Sequence, residues 1–67
     1  MLNLLLNGEP RRFETPLSVL DLVSLLGYAG KRIAVERNGD IVPKSRHADT
    51  QLADGDRLEI VVAVGGG

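Results

Sequence analysis

The sequence predicts an α+β fold, a mixed sheet of four to five strands packed on one main helix. Three observations carry this reading. Apolar residues alternate at the start of the chain and run almost unbroken near its end; the period becomes helical once, from Val19 to Leu26; and two Asn-Gly pairs stand between short apolar segments, where they would reverse the chain. At 67 residues the chain is one domain, because separate cores of useful size need roughly 50 to 200 residues each. Residues 1–64 are expected to form that domain and 65–67 a flexible Gly-Gly-Gly tail.

Leu2, Leu4 and Leu6 alternate with Asn3, Leu5 and Asn7, so the first strand has one strongly apolar face. Asn7-Gly8 supplies the positive φ angles of a two-residue hairpin turn. The return, Arg11 to Glu14, holds only Phe13 as a large apolar residue and reads as a polar edge strand, with Pro10 near its start. Ser18 then stands at a plausible N-cap with the Asp21 carboxylate three positions on. Leu17 and Leu22 are spaced as a hydrophobic staple. Val19, Leu22, Val23 and Leu26 follow helical spacing, and Gly27 offers a left-handed stop, giving a helix of about two and a half turns. So short a helix must be held by packing on a sheet. Ile33-Ala34-Val35 reads as a strand, Asn38-Gly39 as the second hairpin turn, and Ile41-Val42 as the return, ended by Pro43. Lys44 to Thr50 is polar and irregular, with Leu52 as the anchor that follows it. Asp54-Gly55-Asp56 is a turn. Leu58 to Val64 is the longest and most β-branched strand, whose nearly continuous hydrophobicity implies burial on both sides or shelter between neighbours, at the sheet's centre. A central last strand, parallel to the first and reached by a right-handed helical crossover, is the beta-grasp arrangement.

Composition removes several function classes. Hydrophobic residues at 43% and charged residues at 25% place the chain among globular proteins, not disordered ones. Without cysteine there is no disulfide, no Cys-ligated metal and no thiol nucleophile, which suits a reducing compartment. Eight basic against nine acidic residues give a net charge of −1, without the cationic excess of a nucleic-acid binder. Phe13 and Tyr28 are too few and too separated for a base-stacking platform and are expected to pack on the core. Ile60 to Val64 falls far below the roughly 20 apolar residues of a membrane span. Met1-Leu2-Asn3-Leu4 lacks the basic start of a secretory signal, so the expected location is cytoplasmic. His47, with Asp49, Asp54 and Asp56 near it in sequence, has no second histidine or cysteine to complete a metal set; it reads as a solvated loop residue and the acids as turn chemistry.

The distinctive feature is the ending Val64-Gly65-Gly66-Gly67. With glycine near 7% of residues, a terminal Gly-Gly pair arises by chance in about 0.5% of chains. A phosphate-cradling loop is excluded because no helix follows. Three glycines do make an unbranched thread of about 10 Å that passes along a narrow channel in another protein. The thread delivers the α-carboxylate of Gly67, an anion at neutral pH and a poor electrophile. To react it must first be activated, for instance as a mixed anhydride with AMP. The chain carries no nucleotide motif, so a partner would do this and the protein would be the substrate. Val62 and Val64 would guide docking if exposed, although strand alternation in so small a sheet favours their burial.

A set of segments in fixed order carries a family resemblance: Leu6-Asn7-Gly8-Glu9, Val35 with Asn38-Gly39-Asp40-Ile41-Val42-Pro43, Leu52-Ala53-Asp54-Gly55-Asp56-Arg57-Leu58-Glu59-Ile60-Val61, and Val64-Gly65-Gly66-Gly67. Over essentially its whole length the chain resembles the ThiS family, the ubiquitin-like sulfur carrier proteins of thiamine biosynthesis. The resemblance implies that an adenylyltransferase of the ubiquitin-activating type uses MgATP to adenylate the Gly67 carboxylate. Sulfur from a cysteine desulfurase or another donor then displaces AMP, and the resulting thiocarboxylate gives its sulfur to thiazole synthase. By the same resemblance Gly66 and Gly67 are the required pair and Gly65 extends the tail. No cofactor is implied for this chain itself. One departure stands out, because many relatives carry an aromatic residue, often Trp, where this chain has His47. Three alternatives stand beside this reading: the small subunit of molybdopterin synthase, which uses the same fold and thiocarboxylate; a modifier joined to lysines by an isopeptide bond; and a beta-grasp binding module whose glycines are inert. The compact length and the Asn-Gly-Asp-Ile-Val-Pro segment favour the thiamine carrier.

Overall fold

In the computed structural model, which describes residues 1–63, the elements run β1 (Leu2–Leu6), β2 (Glu9–Phe13), α1 (Val19–Leu25), β3 (Ile33–Arg37), β4 (Asp40–Val42), a one-turn 3-10 helix (Lys44–Arg46) and β5 (Arg57–Val62). The five strands form one mixed sheet in the order β2-β1-β5-β3-β4. β1 and β5 are parallel and the other neighbours antiparallel, which places the last strand at the centre as the sequence predicts. Both hairpins turn on their Asn-Gly pair: φ is 49° and 82° at Asn7 and Gly8, and 52° and 90° at Asn38 and Gly39. Two positive φ angles in succession match the right-handed strand twist and fix the registers Leu6 to Glu9 and Arg37 to Asp40. The first turn brings β2 in two residues earlier than the expected Arg11. Pro10 lies inside it, as an edge strand allows.

Asn7 does more than turn the chain. Its side-chain Oδ1 accepts from the Ile60 N–H at 2.8 Å and its Nδ2 donates to the Ile60 carbonyl at 3.2 Å. The backbone ladder between β1 and β5 covers only Leu5 with Arg57 and Leu6 with Leu58. The side-chain amide therefore carries the pairing one step further along the central strand.

The helix is closed at both ends by its own sequence. The Asp21 N–H donates to Ser18 Oγ at 3.0 Å and the Ser18 N–H to Asp21 Oδ2 at 3.0 Å, a complete capping box with aspartate in the usual glutamate position. At the other end the Tyr28 N–H reaches the Val23 carbonyl and the Gly27 N–H the Ser24 carbonyl, with Gly27 at φ 80°, a Schellman stop. Val19, Leu22 and Val23 bury against Leu2, Leu4, Leu6, Val35, Leu58 and Ile60 of the sheet, with Leu17, Val42 and Leu52 completing the core. Phe13 and Tyr28 pack on its margin.

One alternative is decided and one expectation corrected. First, β5 is sheltered between its neighbours β1 and β3 and not buried on both sides: Leu58 and Ile60 are buried while Arg57, Glu59 and Val61 face out. The described chain has one helix, on one face, so a run of β-branched residues in the central strand must still alternate. Second, His47 is not solvated. It is 6% exposed and its Nε2 donates to the Val42 carbonyl at 3.1 Å. The His47 carbonyl in turn accepts from the Leu20 N–H at 3.0 Å, and the Thr50 carbonyl from the Val19 N–H at 2.9 Å. The polar segment 44–50 thus satisfies donors in the first turn of α1 that an isolated helix leaves open.

The turn before β5 is also more than a turn. Asp54 Oδ1 accepts from both the backbone and side-chain N–H groups of Asn3, at 2.7 and 2.9 Å. Asp56 is buried, and its carboxylate accepts from the Ala53 N–H at 2.8 Å, Asn38 Nδ2 at 3.0 Å and Arg37 Nε at 2.7 Å. The turn is thereby tied to β1 and to the second hairpin. Burial by itself would raise the Asp56 pKa, but these hydrogen bonds and the adjacent guanidinium outweigh it and hold the carboxyl below its ordinary value.

Two outcomes are expected. Leu22→Ala, at a fully buried position, costs about 2 to 5 kcal/mol. That is most of what a domain this small holds, so its urea unfolding midpoint falls toward zero. For Asp56 the folded-state pKa lies below the unfolded one, so its contribution is present above about pH 4 and is lost as pH falls through the lower folded value. Asp56→Asn lowers stability at neutral pH by about 1 to 2 kcal/mol, since Arg37 is partly solvated and screens its share. The loss of stability on acidification is shallower in the variant, as urea titrations at stepped pH will read.

Candidate functional site

The site expected from the sequence lies at and beyond the end of the central strand. β3 holds β5 as far as Ala34 opposite Val61 and Ile33 opposite Val62, and the Ala63 N–H donates to the Arg32 carbonyl at 2.8 Å. On its other side β5 is accompanied by β1 only to Leu58, plus the Asn7 amide at Ile60. Among the described residues, β5 beyond Ile60 is paired on the β3 side alone. Val64 and Gly65, Gly66 and Gly67, the residues from which the sequence reads a docking contact and a reactive terminus, lie outside the described residues.

Val62, named from the sequence as a docking residue, is 38% exposed and Val61, which was not named for docking, is 62% exposed. The preference for burial of Val62 is therefore corrected: it shares strand parity with Leu58 and Ile60, but the seven-residue helix ends before covering it. Val61 points to the face that no helix covers. Leu5, Ala34 and the 63% exposed Ile41 lie on that face with it, so apolar side chains are spread across β1, β5, β3 and β4. Between them Glu36 and Glu59 sit directly opposite one another in the ladder, like charges at a spacing that ordinarily destabilises a pair. Sequence reasoning missed this face because it left open whether β5 is buried on both sides or only sheltered between neighbours. The signal was available in the alternation Arg57, Glu59, Val61, whose first two members are charged.

The remaining sequence candidates serve the fold. Asp54 and Asp56 are occupied by Asn3, Ala53, Asn38 and Arg37, and His47 by Val42. Asp49 joins no shared constellation with them. No three of His, Asp and Glu gather as a metal site among the described residues, and none of the described helices is long and apolar enough to cross a membrane.

Comparison with known proteins gives this geometry a family. The pattern of the ThiS family matches residues 4–67. The chain is 47% identical over 66 residues to a thiazole synthase of Paramagnetospirillum magneticum, covering 98% of this chain and 20% of that one, so it spans about a fifth of that relative's length. To the sulfur carrier protein ThiS of Bacillus subtilis it is 37% identical over 63 residues, covering 92% of this chain and 96% of the relative. The crystal structure of the thiamine biosynthesis protein ThiS from Geobacter metallireducens aligns with a TM-score of 0.84 at 33% identity, over 98% of this chain and all of that one. The chain belongs to the ThiS family of sulfur carriers in thiamine biosynthesis and has their beta-grasp fold.

Proposed function

We propose that this protein is a substrate and sulfur donor, not a catalyst, and that Gly67 is the point at which sulfur is carried. The observation that carries the reading is the joint one that the family match runs through Gly67 and that β5 holds the chain in the sheet up to its last described residue. An adenylyltransferase of the ubiquitin-activating type joins the Gly67 carboxylate to the AMP portion of MgATP, with pyrophosphate as leaving group. The terminal sulfur of a persulfide, drawn from a cysteine desulfurase or another donor, displaces AMP to give an acyl disulfide, and a thiol reductant cleaves the S–S bond to leave the terminus as a thiocarboxylate. Without a cysteine in the chain, no side-chain thiol can hold the sulfur, and the main-chain terminus is the remaining carrier. Thiazole synthase is the acceptor. Support comes from the relative of that name, in which the segment similar to this chain makes up a fifth of a longer protein. Gly65 and Gly66 have no side chains to obstruct entry into a partner's channel. The work is done in the cytoplasm, and ATP and Mg belong to the activating partner.

Docking falls to the apolar residues around the end of β5: Val62, with Val64 beyond the described residues, and on the uncovered face Val61, Ile41 and Leu5. Apolar side chains that stand exposed in a folded monomer gain most by being covered.

Two measurements check this. Incubation of the full chain with the activating enzyme, MgATP and a sulfur source gives an intact-mass gain equal to sulfur replacing one oxygen. The chain truncated after Gly65 gives none, and an unchanged mass in the full chain, under conditions that convert a known ThiS protein, overturns the proposal. Val61→Asp, at an exposed position, keeps stability within about 0.5 kcal/mol while slowing thiocarboxylate formation about tenfold or more, as expected for a contact worth more than about 1.4 kcal/mol in the complex.

A further inference from the structure

In a chain of net charge −1, three cations gather around one groove on the helix side of the sheet. The groove, about 430 Å³, lies between the end of α1, the connection into β3 and the 3-10 turn. Its apolar lining includes Leu20, 44% exposed, with Tyr28 and Ile33, and its cations are Lys31, Arg32 and Lys44, all exposed. No Asp or Glu lines it. The one ion pair among the described residues joins Arg37 to Asp56, elsewhere in the molecule. The groove also adjoins the root of the tail, because Ile33 is the cross-strand partner of Val62 and the Arg32 carbonyl holds the Ala63 N–H.

We propose that this groove binds an acidic peptide segment carrying one apolar side chain, presented by a protein that receives the tail. Charge complementarity selects the acidic partner: three uncompensated cations beside a surface without carboxylates attract anions and repel basic segments. The apolar lining selects a peptide over a free anion, since Leu20, Tyr28 and Ile33 are covered only by a ligand that brings an apolar group with its charges. Position gives the reason for its use. A protein that takes residues beyond Ala63 into its own site stands beside Arg32 and Ile33, so a contact there and insertion of the tail occur in one encounter. The groove is distinct from the uncovered face, whose charges at Glu36 and Glu59 have the opposite sign. The carrier reading enters only in naming which protein presents the segment.

The test is an NMR titration of the isotope-labelled full chain with an acetylated pentapeptide of four acidic residues around a central leucine, against the same peptide with amides in place of the carboxylates. The acidic peptide is expected to shift the amides of Leu20, of Tyr28 to Ile33 and of Lys44 to Ala48. Binding falls at least tenfold in Lys44→Glu and in Lys31→Glu/Arg32→Glu, and weakens as added salt shortens the screening length from about 10 Å at 0.1 M to about 3 Å at 1 M. The proposal is overturned by an absence of shifts, by an equal response to the amide peptide, or by shifts confined to Leu5, Glu36, Glu59 and Val61. It is overturned as well if deletion of residues 65–67 by itself moves the groove amides, since the groove would then hold the protein's own tail. Conversion to the thiocarboxylate, followed by mass on the same samples, separates the two ideas: a chain converted normally but blind to the peptide refutes the groove alone, and a chain that binds the peptide but is never converted refutes the carrier reading alone.

Discussion

A helix of seven residues is about 10 Å long, whereas five strands side by side span about 20 Å, so α1 can shield only the middle of one face of its sheet. The rest of the molecule answers to that shortfall. The core forms where the helix does reach, between Leu22 and the inward residues of β1, β3 and β5. Where it does not reach, polar segments are recruited. His47 is packed inside and bonded to Val42, and the carbonyls of His47 and Thr50 meet the first turn of α1. Among the described residues no helix covers the opposite face of the sheet, and its apolar side chains stay exposed.

Coverage on one side also bears on how the chain leaves the sheet. The central strand is held on both sides, bonded to β3 along its length and to β1 and the Asn7 amide at its start. It is also the strand from which the chain passes to Val64 and the glycines. A terminus leaving the middle of a sheet has a fixed origin and direction up to Ala63, and a partner that recognises the sheet thereby recognises where the terminus starts. Exposure of Val61 and Val62 on opposite faces at this point gives such a partner apolar surface on both sides of the strand.

The uncovered face mixes charges, with Arg57 beside Glu59, whereas the groove carries one sign. Glu36 and Glu59 oppose each other on the uncovered face, while Lys31, Arg32 and Lys44 ring the groove on the helix side. The paired charge is inside: Asp56 is satisfied by Arg37, Asn38 and the Ala53 N–H, and it locks the turn that leads into β5. Charges spent on the fold are hydrogen-bonded and partly buried, and those on the groove and the open face stand in solvent, where surface charge governs encounter more than stability.

Local chemistry made much of this protein legible in the sequence. The two Asn-Gly turns, the Ser18 and Asp21 cap, the Gly27 stop and the alternation of Leu2, Leu4 and Leu6 each depend on neighbours in the chain, and each appears where the residues place it. The ThiS family was readable from the order and spacing of the same turns and from the terminal glycines. The hidden parts were those in which the deciding partner is remote in sequence: His47 meeting the first turn of α1, Asp56 reaching back to Arg37 and Asn38, and Asn7 bonding Ile60. Whether β5 is covered on one face or two was hidden for the same reason, since a β-branched run specifies a strand but not the number of layers around it. Sequence alone thus determined the turns, the caps and the strand pattern, because these are short-range effects of backbone geometry and hydrogen bonding. Only the tertiary structure decided which polar residues are buried and which apolar ones are left exposed, because burial depends on how much of the sheet one short helix can cover.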